Sequence, residues 1–168
     1  MLSRLALAAA LLAAPAVAPS PASAQPVDNT GIAAGGWSFA HWGMTRAEVE
    51  LASDGKAHAG DDAVSDTVDG GYVLGNFRFA VQLNFDDATT HLAEIKLKPD
   101  FPPKQCGALK SYLRDKLGAP TLESDAGYKT TWWRDERNGN AVEFSQLTPE
   151  ICGLSYQPLS ALAIVSNS

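Results

Sequence analysis

The sequence predicts an α+β fold: two successive units, each a helix followed by about three strands, joined in one antiparallel sheet with both helices on one face. Three observations lead there. Residues 104–120 carry apolar side chains at helical spacing, Phe77 to Phe85 places a bulky apolar residue at every second position, and Asn138-Gly139 separates two further alternating runs. Stripes of period 3.6 and period 2 can bury one another in two layers, leaving the second face of the sheet wet.

The chain opens with the pattern of an export signal over residues 1–24. Arg4 supplies the positive start, Leu5 to Ala14 is an unbroken apolar run, and Ala22-Ser23-Ala24 offers small residues for cleavage before Gln25. The run is shorter than the about 20 residues that span a bilayer, and no later segment is apolar enough to do so. The expected product is a soluble, exported protein, periplasmic in a bacterium. It has 144 residues, and its formal charge moves from −6 to −7 with the loss of Arg4. That length fits one domain. An acidic chain with no clustered Lys/Arg run excludes nucleic acid and anionic lipid as expected partners, because both reward basic patches.

Residues 25–36, rich in Pro, Asp, Asn, Thr and Gly, read as a flexible leader to a single domain over 37–168, with the two units at about 42–98 and 104–158. Trp37, Phe39 and His41 fall on one side of a short strand. Thr45 and Glu48 form a capping box, with Met44 and Val49 as its hydrophobic staple, starting a helix that ends near Asp54-Gly55. Residues 54–71 hold five aspartates, four glycines and His58. A strand through Val64 to Val68 and a mobile acidic loop both fit them. Tyr72 to Leu74 is a short strand turning at Gly75-Asn76.

From Phe77 the alternation points Phe77, Phe79, Val81, Leu83 and Phe85 inward and Arg78, Ala80, Gln82 and Asn84 outward. After a turn at Asp86 to Thr90, Ala93, Ile95 and Leu97 face the core, and Glu94, Lys96 and Lys98 face water. In the helix from Lys104 to Pro120, Cys106, Leu109, Leu113 and Leu117 form the apolar stripe, flanked by Ala108 and Tyr112. Pro102 and Pro103 stand at its entrance, Gly118 suits a positive φ at its end, and Pro120 stops it. A two-residue Asn138-Gly139 turn would set Trp133 opposite Phe144 and Arg134 opposite Glu143. Trp133, Val142 and Phe144 then face in; Trp132, Arg134, Glu143 and Ser145 face out. Cys152, Leu154 and Tyr156 alternate in the last strand, and the tail from Ala161 has no assignment.

Cys106 and Cys152 are the only cysteines. In an oxidising compartment a disulfide clamping helix to sheet is expected, with two free thiols as the alternative; the C-x-x-C spacing of a redox pair is missing.

Gly43-Met44-Thr45-x-x-Glu48-Val49 leading to a hairpin, and Leu117-Gly118-x-Pro120 leading to a Trp-bearing strand, resemble a known group. These are the small exported bacterial domains that share the fold of the β-lactamase inhibitory protein and of the small outer-membrane assembly lipoproteins. The resemblance implies αβ repeats, an antiparallel sheet with helices on one face, and binding of other proteins through the sheet face and loops. It spans Trp42 to Pro158 by pattern. Two departures stand out: the inhibitor has a disulfide in each repeat where this chain can form one, and the lipidated N-terminal cysteine of the assembly lipoproteins is missing.

No reactive constellation emerges. His41, His58 and His91 lack metal-ligand spacing. His58 near Asp61, Asp62 and Asp66 reads as a solvated loop, with an oxygen-rich cation site as the alternative. Asp86-Asp87 reads as a turn, and no nucleophile elbow, P-loop or GxGxxG occurs. No catalytic residue, metal or cofactor is expected. Trp132 beside Arg134 on the wet face has the composition of a protein-binding hot spot. Equally, the tail after Leu159 or the leader can fold over Trp132. The expected binding residues are Trp132 and Arg134, with Gln82 and Lys96 on the same surface. The expected function is a non-enzymatic binding module that contacts another protein. The alternative is a small-ligand or lipid carrier with a pocket lined by Phe77, Phe79, Leu109 and Tyr112.

Overall fold

The structure is a computed structural model that describes residues 36–125 and 128–165. The expected signal, residues 1–24, and the leader up to residue 35 lie outside the described residues. Where the alternation predicts one strand from Trp37 to Trp42, the chain forms a tight hairpin of β1 (Gly36–Trp37) and β2 (Ala40–His41). Ser38, at φ 52°, takes the left-handed conformation that lets the chain reverse there.

Helix α1 (Arg46–Ala52) starts at the predicted capping box: Thr45 N–H donates to Glu48 Oε2 at 2.7 Å, and Glu48 N–H donates back to Thr45 Oγ1 at 3.4 Å. The Thr45 backbone N–H, and the Thr45 hydroxyl that donates to the same oxygen at 2.8 Å, hold the Glu48 carboxyl below its ordinary range. Val49 is fully buried and Met44 packs on the same core.

Four strands follow: β3 (Ala57–Ala59), β4 (Ser65–Leu74), β5 (Phe77–Phe85) and β6 (Leu92–Pro99). The acidic stretch is therefore mostly sheet, with Ala57 opposite Val68 and Ala59 opposite Asp66. It orders because the one aspartate that points inward, Asp66, meets Arg46 Nε of α1 at 2.9 Å. Gly70-Gly71 forms a bulge inside β4. Gly71 has φ 63°, and a Cβ there would collide with the Phe79 carbonyl oxygen, so only glycine fits. On β6 the inward residue is Leu92 rather than Ala93, because the pairing slips between Asn84↔Glu94 and Phe85↔Leu92.

A 3₁₀ turn (Pro103–Gln105) leads into α2 (Cys106–Leu117), which buries Cys106, Leu109 and Leu113. Ala108 is exposed, off the stripe it was expected to flank. Gly118 ends the helix at φ 82°, ψ −154°, a conformation essentially reserved for glycine. Its carbonyl accepts a hydrogen bond from Trp133 Nε1 at 3.0 Å.

Four more strands follow here too: β7 (Leu122–Ser124), β8 (Lys129–Asp135), β9 (Asn140–Thr148) and β10 (Ile151–Pro158). Strand β7 is too short to show a period in the sequence. It is fastened to α2 through Glu123, whose Oε1 takes Lys110 Nζ at 3.0 Å and Arg114 Nη2 at 2.7 Å. All eight strands form one antiparallel sheet in the order β3-β4-β5-β6-β10-β9-β8-β7. The last strand of each series meets the other at the centre, with Leu97 opposite Leu154.

The β8–β9 connection is a 3₁₀ turn (Glu136–Asn138) closed by Gly139 at φ 65°, not a two-residue turn. Asn138 Nδ2 donates to Asp135 Oδ2 at 2.8 Å, which stabilises the longer loop. Pairing moves by two residues, so Trp133 faces Val142 and Trp132 faces Glu143. A shift of two keeps every side chain on its predicted face.

The main core contains Phe79, Phe144, Leu113, Trp133, Tyr156 and Val49, so α1 and α2 share one face of the sheet. The Cys106–Cys152 disulfide, Cα–Cα 5.8 Å, joins α2 to β10. A third helix, α3 (Ala161–Val165), lies on the opposite face: Leu162 and Leu159 pack with Trp132, Ala141 and Leu122. The expectation of helices on one face holds for α1 and α2 and fails for α3.

Asn140 latches the first hairpin to β9. It is fully buried, accepts from Trp42 Nε1 at 2.8 Å and donates to the Gly36 carbonyl at 3.1 Å. Asn140→Ala is expected to cost about 1–3 kcal/mol, because it strands a buried carbonyl and an indole N–H. Urea unfolding measures it, and a loss below about 0.5 kcal/mol would remove the latch.

Candidate functional site

Parity and register together place the predicted binding residues. Across the face opposite α1 and α2, one row of Cα partners reads Gln82, Lys96, Ser155, Glu143, Trp132. Arg134 lies farther along β8, opposite Ala141 rather than Glu143.

Trp132 is not the exposed anchor that its face suggested. It is 5% exposed, covered where the tail crosses it with Leu159 and Leu162. An indole on a sheet face is a large apolar area, and α3 removes it from water. Arg134 stays half-exposed, 3.4 Å from Glu136 Oε1. Lys96 is also half-exposed, 3.2 Å from Glu94 Oε2. Gln82 is half-buried beside it. The structure thus keeps Gln82 and Lys96 on an open surface, leaves Arg134 at its border, and buries Trp132 in the wall that closes one end.

Between that wall and β5 the sheet carries small side chains. Gly153 and Ser155 on β10 and Ser145 on β9 form the floor of a groove of about 260 Å³, bordered by Glu94, Lys96 and Lys98 of β6 and by Glu143. Sequence reasoning passed over this floor. Its signal was present: in Cys152-Gly-Leu-Ser-Tyr, the outward positions Gly153 and Ser155 are the small ones. Glu143 is half-buried, and its Oε2 receives the Ser155 hydroxyl at 3.5 Å. Burial pushes its carboxyl above the ordinary range, and neighbouring Glu94 adds to this, against the smaller pull of Ser155 and Lys96. Glu94 is better served, by Lys96 and by Asn84 Nδ2 at 2.8 Å.

One end of the sheet is apolar at its rim. Val73, Leu147, Ile151 and Tyr128 are all more than half exposed. Ile151 pairs with Thr148, and Leu147 and Tyr128 lie one residue beyond the Gln146↔Lys129 pair, so these three are neighbours, while Val73 stands apart from them on β4, beyond Arg78 of β5.

His58, set among aspartates in the sequence, makes a 3.0 Å hydrogen bond with Thr67 Oγ1 and stands 3.9 Å from Asp69. Among the described residues no three His, Cys, Asp or Glu side chains group closely enough to hold a metal ion, and no helix is long and apolar enough to cross a membrane. No protein-family model, curated protein or solved structure matches the chain.

Proposed function

We propose that the chain is an exported, non-enzymatic binding module that contacts another protein through the open face of its sheet. The observation that carries the reading is this face itself: polar, grooved, walled by α3 and edged by exposed Val73, Leu147, Ile151 and Tyr128. Five strands, β4 to β6 with β10 and β9, at about 4.8 Å spacing and about eight residues each, present roughly 600 Å² of sheet. That approaches the ~800 Å² per partner of a standard protein interface. The Cys106–Cys152 bond is compatible with an oxidising compartment; cleavage between Ala24 and Gln25 belongs to the same proposal. So does reading α1 with β3–β6 and α2 with β7–β10 as two structural repeats, a likeness supported by their common order and by the central meeting of β6 and β10.

The carrier alternative needs space among Phe77, Phe79, Leu109 and Tyr112. Rings fill that region: Phe101 meets Phe77 and Phe79 edge-on at 5.4 and 5.5 Å, and Tyr112 meets Phe77 at 5.8 Å. Packing of this kind favours the binding face. Affinity capture from periplasmic extract tests it. Lys96→Glu with Ser145→Arg should cut recovery of the captured protein at least tenfold while the unfolding midpoint stays put. Undiminished recovery would remove the face as the contact, and a stoichiometric lipid released by organic extraction would favour the carrier.

A further inference from the structure

We infer that the groove over Gly153 seats an extended segment of the partner bearing a basic and an acidic residue four positions apart, the basic one against Glu143 and the acidic one against Lys98. The inference rests on the binding-face reading and names the chemistry that would engage that face.

Four features of the groove support it. The first is the floor. A Cβ on Gly153 would stand 3.1 Å from Ser145 Oγ, so glycine keeps the middle of the groove open to a visiting side chain. The second is the charge left over. Lys96, the cation nearest Glu143 along its row, is engaged by Glu94 at 3.2 Å. Among the described residues, the hydrogen bond recorded for the Glu143 carboxylate is the Ser155 hydroxyl at 3.5 Å, at the outer limit for such a bond. Glu143 is half-buried, so its negative charge is partly withdrawn from water without full compensation. A guanidinium or ammonium would supply that compensation with charge-assisted hydrogen bonds.

The third feature is Lys98, exposed at the groove's border, for which no ion pair is recorded among the described residues. The fourth is spacing. Glu143 lies in the row of Lys96 and Ser155, and Lys98 is two residues along β6 from that row. Two residues of strand advance about 7 Å, and the two strand spacings from β9 across β10 to β6 add about 10 Å at right angles, so the two groups stand about 12 Å apart. A cation and an anion at positions i and i+4 of an extended segment, about 13 Å apart on one face, therefore match both groups together when the segment lies obliquely across the strands. The groove, about 260 Å³, is also small beside the about 300–1,000 Å³ of pockets that enclose a free small molecule. It suits side chains delivered by a chain lying across the sheet.

The test uses two acetylated, amidated heptapeptides, Ser-Arg-Thr-Ser-Thr-Glu-Ser and its reverse charge order Ser-Glu-Thr-Ser-Thr-Arg-Ser, with Ser-Gln-Thr-Ser-Thr-Gln-Ser as control. Each is titrated into the isotope-labelled protein. At least one charged peptide should shift the amide signals of Glu143, Gly153 and Ser155, and the control should not. Glu143→Gln should weaken that binding at least tenfold, as should Gly153→Val, whose fold is checked by its melting temperature. Cation binding needs ionised Glu143, whose carboxyl titrates above the ordinary range. Affinity should therefore rise with pH through that raised titration, and the rise should vanish in Glu143→Gln. Equal shifts with the control, shifts away from the groove, or unchanged affinity in Glu143→Gln would each overturn the inference. If the peptides fail while Lys96→Glu with Ser145→Arg still abolishes capture, the binding face stands and the charge pairing falls.

Discussion

Replacing Arg46 by methionine is expected to cost about 2–3 kcal/mol at pH 7, because the parent already bears part of the burial penalty of Asp66, and less than about 2 kcal/mol at pH 5. Asp66 is fully buried, and Arg46 Nε lies 2.9 Å from its Oδ1. The same guanidinium donates to the Ser65 carbonyl at 3.3 Å and covers the Phe85 ring at 5.2 Å. Methionine keeps most of the apolar stem but leaves Asp66 without its counter-ion, and breaking a buried pair from one side costs several kcal/mol. Protonation caps the charge part of that cost. At about 1.36 kcal/mol per pH unit above the ordinary value of 3.8, the ceiling is about 4 kcal/mol at pH 7 and below about 2 kcal/mol at pH 5.

The sign follows from the direction of the Asp66 shift. Burial raises its carboxyl above the ordinary range, more than Arg46 lowers it. A raised carboxyl favours folding most when neutral, so its contribution is present at low pH and is lost as pH rises through the folded value. Removing Arg46 raises that value further and steepens the loss. Asp66→Asn should cost much less, because Arg46 is about one-third exposed and can turn to water. Urea unfolding from pH 5 to 7 measures both variants. A methionine variant within 1 kcal/mol of the parent at pH 7, or a deficit that grows on acidification, would show that the pair does not hold α1 to β4.

Reducing the disulfide, or replacing both cysteines by alanine, is expected to cost about 4 kcal/mol. The bond closes a loop with a sequence separation of 46, and the chain-entropy estimate for that length gives about this value. Its position adds a local effect. Cys106 is the first residue of α2 and Cys152 belongs to a central strand, so the bond pins the start of the helix to the middle of the sheet. Hydrogen exchange after reduction should show α2 losing protection before β5 and β6. A loss below about 1 kcal/mol, or uniform loss of protection, would show that packing of Leu109 and Leu113 holds the helix unaided.

The alternation from Phe77 to Phe85 was legible because a strand's period is local: each residue's face follows from its neighbours. The same holds for Trp133 and Val142, whose faces survived a two-residue change of pairing. The capping box at Thr45 and Glu48 was legible because both its hydrogen bonds close within four residues. What failed or stayed open involved partners distant in sequence. Residues 54–71 fitted a strand through Val64 to Val68 and a loop equally, and the strand reading is the one that β4 matches; the alternation could not decide because the cation that admits Asp66 to the interior is Arg46, on the preceding helix. Trp132 could be read as an anchor or as a residue covered by the tail after Leu159, and only the second matches, because the place of Leu162, thirty positions on, was not legible. The β8–β9 turn depended on Asp135 and Asn138 recognising each other, which a preference for Asn-Gly does not register.

The candidate site divides in the same way. Gln82 and Lys96 could be placed on the wet face from alternation alone. The groove could not, because its floor is assembled from β9 and β10 and its border from β6, and only the order β6-β10-β9 brings them together. By itself the sequence determined which side chains of β5, β8, β9 and β10 face the helices, where α1 and α2 begin, and which two cysteines are there to pair. Tertiary structure alone decided which strands are neighbours, that Trp132 is roofed by α3, and that Glu143 stands half-buried beside a floor of small residues. A face is set by the backbone's own repeat, whereas neighbours are set by burial energies between segments that meet only when the chain has folded.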